Sequence, residues 1–263
     1  MKMFKKSLSV ILALVMIFGC MSVVSFAADG KATVSLRIEG IKDCFYYGDV
    51  AVSGSTTVLD VIKQADKDDD TLSVTVIPSI YGDYVKSING LEAGKYTALG
   101  WDGWSYRVDG VEPDVGVGKY TVSGGETIVM YYADPWNTGM QYPIINTKNL
   151  ANGEVSFTSI DSVFDSNTFE MIEKECAVTG YTLTWGTGSK KVVLTPDENG
   201  ICKIPYKYLT LGKHSVQIEK YDEKTGLPTV LRYAPDFSVE IGLFDAIMAF
   251  FKMIVETISS IIG

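Results

Sequence analysis

Short segments in which apolar and polar residues alternate recur along this sequence, and they constrain the fold more than any other feature. Val34, Leu36 and Ile38 alternate with polar residues near the start, and residues 181–185 repeat the pattern far along the chain. Successive side chains of a strand point to opposite faces, so a period of two is typical of half-buried strands. Turns rich in Gly, Asn and Asp separate these segments. We therefore predict an α+β fold for the first part of the chain and an all-β fold for the second.

The net charge of the chain excludes some classes of binding partner. The 263 residues include 23 Lys and Arg against 32 Asp and Glu, which gives a formal net charge of −9. A hydrophobic share of 46% is ordinary for a globular protein. An acidic chain repels nucleic acid and anionic lipid headgroups. We expect no nucleic-acid partner.

Residues 1–27 have the three parts of a secretory signal peptide. Lys2, Lys5 and Lys6 precede an apolar stretch over residues 8–24, and small residues follow it up to Ala27. A charged start, an apolar middle and a small-residue end predict cleavage near Ala27 and a secreted or cell-surface protein. Two alternatives stay open, an uncleaved membrane anchor and a lipoprotein modified at Cys20.

A helix is predicted within residues 31–134. Thr57 and Asp60 have the spacing of a capping box, and Val58, Val61 and Ile62 follow at helical spacing. The strands around this helix include an Asp-Gly hairpin turn at Asp109. One short helix against several strands indicates an α+β domain.

Five ordered segments in this region resemble a known family. In their order and spacing they are similar to the bacterial domain family related to the C-terminal domain of transcobalamin; the segments are residues 57–62, 81–90, 103–110, 115–122 and 125–132. The resemblance implies a β-grasp-like domain of the soluble-ligand-binding type over residues 31–134. In transcobalamin and intrinsic factor that domain closes over a corrinoid held against a helical barrel. No helical-barrel pattern accompanies it in this sequence, and the resemblance makes a corrinoid a candidate ligand.

The second part of the chain is predicted to be a β-sandwich. Residues 135–152 contain two prolines and four asparagines and are interpreted as a linker. Residues 153–241 then carry short alternating segments at roughly 8–12-residue spacing with Gly, Asn and Asp turns, which indicates a sandwich. They resemble the immunoglobulin-like or transthyretin-like repeats of bacterial surface proteins.

Residues 243–262 are predicted to form an apolar amphipathic helix. One narrow stripe of polar or small residues runs along it, at Asp245, Ala249, Lys252, Glu256 and Ser259, and nearly all other positions are apolar. So wide an apolar surface must be buried. Three alternatives stay open: self-association or packing on a protein partner, contact with a membrane surface, and docking on the β domains of the same chain.

Catalytic and metal-binding patterns are scarce. His214 is the only histidine and no G-x-S-x-G nucleophile elbow accompanies it, so we predict that the protein is not an enzyme. The acidic run at residues 66–70 lacks the glycine and distal glutamate of an EF-hand loop, and we predict no metal site and no cofactor. Cys44, Cys176 and Cys202 lack C-x-x-C spacing. Cys176 and Cys202 can pair only if their strands face each other.

Aromatic residues crowd one half of the first domain, and we interpret six of them as a candidate ligand-binding set: Tyr81, Tyr84, Trp101, Trp104, Tyr106 and Tyr132. Alternation on one strand predicts that some of them, such as Trp104 and Tyr106, fill the core. Exposed aromatic rings near glycine loops are suited to contact a planar ligand, a sugar or a protein.

Two functional hypotheses of different class follow. The first is an exported cell-envelope binding protein whose β-grasp domain holds a small planar ligand such as a corrinoid. The alternative is a structural or adhesive surface protein without a small-molecule ligand, which associates through residues 243–262.

Overall fold

A computed structural model describes residues 32–79, 82–134, 139–232 and 238–262. Within these residues the protein consists mostly of β-strands, with two α-helices. The predicted signal peptide, residues 1–27, lies outside the described residues. The predicted predominance of strands, the short helix in the first part and the helix at residues 243–262 are confirmed.

The first part of the chain contains one helix among nine described strands: β1 (Ala32–Glu39), β2 (Cys44–Val52), β3 (Thr56–Thr57), α1 (Val58–Asp68), β4 (Val74–Ser79), β5 (Gly82–Ile88), β6 (Leu91–Glu92), β7 (Gly103–Val108), β8 (Thr121–Val122) and β9 (Thr127–Ala133). The main sheet has the order β2-β1-β9-β7. Strands β1 and β9 are parallel, and the other pairs are antiparallel. A smaller sheet has the order β4-β5-β6.

Helix α1 begins and packs as its sequence predicts. The Thr57 side chain accepts a hydrogen bond from the backbone of Asp60, whose carboxylate accepts one from the Thr57 backbone, so the capping box is confirmed. Val61 and Ile62 are fully buried in one core with the apolar side chains of β1 and β9. Burial of this face holds α1 against the main sheet.

Strand β9 is buried on both faces. Ile128, Met130 and Tyr132 point into the α1 core, whereas Val129 and Tyr131 on the other face pack with Leu231. The continuous apolar run of β9 is typical of a strand covered on both sides. A segment from far along the chain therefore covers the back of the first sheet.

The second part consists of two four-stranded sheets and helix α2: β10 (Ile144–Asn146), β11 (Glu154–Asp165), β12 (Glu170–Ala177), β13 (Thr182–Thr187), β14 (Lys190–Leu194), β15 (Ile201–Lys203), β16 (Gly212–Glu219), β17 (Ser238–Ile241) and α2 (Leu243–Ile262). One sheet has the strand order β10-β11-β12, and β15 also pairs with β11. The other sheet has the order β14-β13-β16-β17. Phe157 of the first sheet and Leu183 and Trp185 of the second lie in one core. Two short 3-10 helices, Leu150–Asn152 and Tyr206–Tyr208, flank this core.

The predicted linker, residues 135–152, is in part structured. Strand β10 lies inside it and pairs with β11, and Gln141 forms a parallel bridge with Val230. The interpretation of residues 135–152 as a linker therefore misses strand β10, because the apolar pair at residues 144 and 145 is too short to show alternation. Residues 135–138 lie outside the described residues.

A buried ion pair joins the two parts of the chain. Arg232 Nη2 lies 2.5 Å from Glu39 Oε2, and both side chains are almost fully buried. Arg232 also donates to the backbone carbonyl of Lys42. Removing one member of a buried pair leaves an uncompensated charge, so this contact couples the two parts strongly.

All three described cysteines are free thiols. Cys202 lies opposite Val155 and Cys176 opposite Ser159 on β11, and β12 and β15 flank the same edge of that strand. Four residues along a strand correspond to about 13 Å. A disulfide requires Cα atoms within about 7 Å, so this register separates Cys176 from Cys202.

Candidate functional site

The loop between β6 and β7, residues 93–102, is closed on itself by backbone hydrogen bonds. The N–H of Gly94 donates to the carbonyl of Asp102 at 2.8 Å, and the N–H of Gly100 donates to Thr97. Gly94 and Gly100 both have positive φ, and a Cβ atom on Gly94 would lie 3.2 Å from the carbonyl oxygen of Gly100. The glycines allow the two arms of the loop to approach closely.

A buried carboxylate, Asp102, fastens this loop from inside. Its Oδ2 accepts hydrogen bonds from the backbone N–H groups of Lys95 and Tyr96, at 2.9 and 3.0 Å. Its Oδ1 accepts from both the N–H and the hydroxyl of Thr97. The hydroxyl of Tyr132 on β9 donates to Oδ2 at 2.5 Å and so ties the loop to the main sheet.

These contacts set the charge state of Asp102, the residue that anchors the loop. Burial alone would raise the pKa of Asp102, but hydrogen bonds from Thr97 and Tyr132 outweigh burial and hold the pKa well below its usual range. Burial and the adjacent carboxylate raise the pKa of Tyr132 above its usual range. At neutral pH the anchor is therefore an ionised carboxylate that accepts a hydrogen bond from a neutral phenol.

The anchored loop displays large side chains to solvent. Trp101 is 53% exposed and Tyr96 is 47% exposed, and Leu99 at the turn between them is also exposed. Tyr84 on β5 is partly exposed, and its hydroxyl lies over Gly103, where an added Cβ would come within 2.9 Å. We call Tyr84, Tyr96, Leu99 and Trp101 the aromatic platform. Tyr96, Leu99 and Trp101 lie on the loop that internal hydrogen bonds make rigid, and Tyr84 lies on β5 beside its end at Gly103.

The six aromatic residues of the sequence hypothesis divide between this surface and the core. Tyr84 and Trp101 belong to the platform, and Tyr81 lies outside the described residues. Trp104, Tyr106 and Tyr132 are buried, so assigning these three to direct ligand contact is corrected. The indole N–H of Trp104 donates to the carbonyl of Leu91, and the hydroxyl of Tyr106 donates to Val115.

Two platform members, Tyr96 and Leu99, were missed by sequence reasoning. They lie between two glycines in a segment with no strand or helix periodicity. The signal that identifies them is the pair Gly94 and Gly100 followed by Asp102, because a carboxylate at the end of a glycine-flanked loop is suited to accept its free N–H groups. The Tyr96 ring packs edge-on against Tyr132, with centroids 5.7 Å apart.

The two largest cavities among those found in the described residues lie elsewhere. The larger, about 1290 Å³, is an open cleft between the first part and the β11–β12 hairpin, with Arg107, Glu112, Asp161, Glu173 and Asp222 in its walls. The smaller, about 330 Å³, lies at the start of α1 beside Asp60 and Lys63. Charged groups predominate around both cavities, and Tyr221 is the aromatic ring in the wall of the larger one.

His214, Asp66 and Asp69, which were weighed for catalysis or metal binding, have structural partners. His214 is buried, stacks on Trp185 with centroids 5.5 Å apart, and its Nε2 donates to the carbonyl of Thr210. The Asp69 carboxylate accepts from Thr71, and that of Asp66 accepts from Val74. Within the part of the chain that the structure describes, no three His, Cys, Asp or Glu side chains are arranged to hold a metal ion.

Comparison with known proteins supports a related domain in the first part. Residues 55–134 match a family model described as a domain of unknown function, DUF4430, inside the region that resembles the transcobalamin C-terminal domain. No match is found among curated proteins.

Two solved structures show similarity to part of the chain. The crystal structure of haptocorrin in complex with Cbi aligns with 43% of this chain at 25% identity, with a TM-score of 0.36. This chain covers only 28% of the haptocorrin chain. A protein from Ruminococcus gnavus ATCC 29149, provisionally named for metal binding, aligns over 39% of this chain and 97% of its own at 10% identity and a TM-score of 0.30. Both TM-scores are too low to establish a shared fold.

Proposed function

We propose that this protein is an exported cell-envelope binding protein whose aromatic platform holds a small planar ligand. The observation that carries the proposal is the exposure of Trp101, Tyr96 and Leu99 on a loop that the buried Asp102 fastens through five hydrogen bonds. Planar ligands stack on aromatic faces. A rigid loop loses little conformational entropy on binding, so it favours affinity.

The sheet arrangements support the finer fold labels that belong to this proposal. A mixed sheet with parallel β1 and β9 at its centre and α1 packed across it is what a β-grasp-like domain requires. Two sheets that share one core are what an immunoglobulin-like or transthyretin-like sandwich requires. The first domain would be the binding module and the second a β-sandwich domain beside it.

A corrinoid is the first ligand to test. The sequence resemblance to the transcobalamin C-terminal domain motivates this choice, and the haptocorrin structure contains Cbi. The platform offers one apolar surface, so a planar ring would keep its other face open to solvent or to a second protein. No catalytic step and no cofactor are part of the proposal, because the only histidine is buried beneath Trp185 in the second core.

Export completes the proposal. It rests on the signal-peptide pattern of residues 1–27 in the sequence. Expression of the full coding sequence in a bacterial host, followed by mass spectrometry of the exported chain, should find Ala28 at the new N-terminus. Retention of the chain in the cytoplasm with its first 27 residues would refute export and leave the platform proposal intact.

Titration with cobinamide and cobalamin tests the ligand. Binding should change the visible absorption of the corrinoid and quench tryptophan fluorescence. Trp101→Ala and Tyr96→Ala should each weaken binding at least about tenfold, because each removes a stacking surface. Tyr47→Ala is the matched control, since Tyr47 is 49% exposed in the same domain but lies on β2. It should bind as the parent does.

Three outcomes decide the matter. Loss of binding in the two platform variants alone supports the proposal. Equal loss in Tyr47→Ala would refute the platform as the site. An absence of any spectral change with either corrinoid excludes this ligand class, and the same variants can then be screened by fluorescence against other planar molecules.

One observation favours the structural or adhesive alternative. Helix α2 exposes a broad apolar surface, which a monomeric protein rarely presents to water. If no small molecule binds and the chain associates with itself or with cell-envelope proteins, the structural hypothesis replaces the binding hypothesis.

A further inference from the structure

Helix α2 docks on the second domain through its narrow polar and small-residue stripe. Ala249 is fully buried in the second core. The ammonium group of Lys252 donates to the carbonyl of Ala151 and to the side chain of Asn152, both at 2.5 Å, and it lies over the ring of Tyr206. Of the three alternatives that the sequence left open for this helix, docking on the same chain therefore holds for one side of α2.

The opposite side of α2 is apolar, and its side chains are exposed. Phe244 is 73% exposed and Phe251 is 57% exposed, and Ile247, Ile254 and Ile258 are also exposed. We call these five residues the outer seam. Leu243, Phe250 and Val255 flank the seam and are exposed as well.

The outer seam has the spacing of a coiled coil. Its members follow one another at intervals of three, four, three and four residues, which places Phe244, Phe251 and Ile258 at a positions and Ile247 and Ile254 at d positions of a heptad. The sequence continues this register with Ile261. In the same register Ala249 is an f position, on the far side of the helix from the seam. The chain's own second domain therefore occupies the side opposite the a and d positions.

We propose that the outer seam pairs with the outer seam of a second copy of this chain, as helix against helix. A heptad seam inserts its side chains into the matching seam of another helix, and a twofold axis lets one surface serve both partners. Pairing would cover the eight apolar side chains of the seam and its flanks, which are 36% to 73% exposed, and a standard specific interface takes about 800 Å² from each partner. The inference is independent of the ligand proposal.

A lipid surface fits this helix less well than a second copy. Helices that lie on membranes carry Lys and Arg on their polar face. The sole basic residue of α2 is Lys252, and contacts with Ala151, Asn152 and Tyr206 hold it against its own domain. A chain with net charge −9 is also repelled by anionic headgroups. Among the helices of the described residues, none is long and apolar enough to cross a membrane.

Light scattering coupled to size exclusion tests the pairing on the chain from Ala28 onward, which contains every described residue. The parent should have the mass of a dimer or a larger multiple at micromolar concentration. Phe251→Asp places a charge at the middle of the seam and should weaken association at least about 100-fold. Ser259→Asp introduces the same charge at a b position outside the seam and should leave the oligomer unchanged.

Near-ultraviolet circular dichroism of the three proteins separates pairing from folding, because Trp185 reports on the second core. A monomeric Phe251→Asp with an unchanged spectrum supports the proposal. A parent that is monomeric across the concentration range overturns it, and so does a Phe251→Asp variant that still associates. A parent that is monomeric in buffer but sediments with phosphatidylcholine vesicles would make lipid the occupant and would also overturn it.

Discussion

The two helices of this protein are both amphipathic, but they use their apolar faces in opposite ways. Helix α1 turns Val61 and Ile62 into the first core and its charged side to solvent. Helix α2 turns Ala249 and Lys252 toward its own domain and leaves Phe244 and Phe251 exposed. An amphipathic pattern therefore shows that an apolar face needs cover, but it does not show whether the same chain supplies that cover.

The largest expected effect is a difference in the free energy of unfolding between a variant in the buried apolar face of α1 and one in the exposed apolar face of α2. Ile62→Ala removes a fully buried side chain and should lower the free energy of unfolding by about 2–5 kcal/mol. Ile254→Ala removes an exposed one and should change the unfolding of the monomer by less than about 0.5 kcal/mol. Urea denaturation of both variants in the Phe251→Asp background, where association is suppressed, measures the contrast. Equal losses in the two variants would contradict it.

A second prediction concerns the polar anchor of the first domain. Asp102→Asn removes the charge from a buried acceptor of five hydrogen bonds and should cost about 2–3 kcal/mol at pH 7. The folded state lowers the pKa of Asp102, so its contribution is present above the unfolded-state pKa and is lost as pH falls toward the folded value. The stability gap between parent and variant should therefore shrink when denaturation is repeated near pH 3. A gap that is constant from pH 7 to pH 3 would show that the charge of Asp102 is not the anchor.

A third, smaller effect tests how α1 begins. Thr57→Ala removes the side chain that caps the helix and should destabilise the first domain by about 1 kcal/mol. Thr57→Ser keeps the hydroxyl and serves as the control, with a loss of a few tenths of a kcal/mol at most. Thermal unfolding by circular dichroism compares them. Equal stability of the alanine and serine variants would show that the capping box does not stabilise α1.

The smallest effect tests the attachment of α2. Lys252→Met keeps the length of the side chain but removes its hydrogen bonds to Ala151 and Asn152, and should cost about 1 kcal/mol or less. Hydrogen exchange should accelerate in residues 243–253 while residues 58–68 stay protected. Unchanged exchange in α2 would mean that Ala249 and its apolar neighbours alone hold the helix in place.

Local patterns in the sequence predicted the local structure well. The Thr57 and Asp60 spacing identified the start of α1, and alternation on β7 identified Trp104 and Tyr106 as members of one face. These features depend on residues within a few positions of each other, so the backbone period alone reveals them. The linker prediction was less successful because β10 has three residues and owes its existence to β11.

The candidate site was predicted less completely for the same physical reason. The sequence identified an aromatic cluster, but it could not divide Trp101, which reaches solvent, from Tyr132, which is fully buried. That division depends on which strands flank β9 and on how the loop at residues 93–102 folds back over Asp102. Tyr96 and Leu99 gain their exposed positions only through that loop.

The sequence by itself determined the order of elements, the capped helix α1, the acidic charge and the existence of an apolar helix at residues 243–262. These follow from composition and from periods of two and of about 3.6 residues, which act over short stretches. Tertiary structure alone decided that Arg232 reaches Glu39 across 193 positions and that α2 docks by its small-residue side. It also decided that Cys176 and Cys202 lie opposite β11 residues that are four positions apart. Such contacts join segments whose local patterns carry no information about each other, so only the packing of complete sheets brings them together.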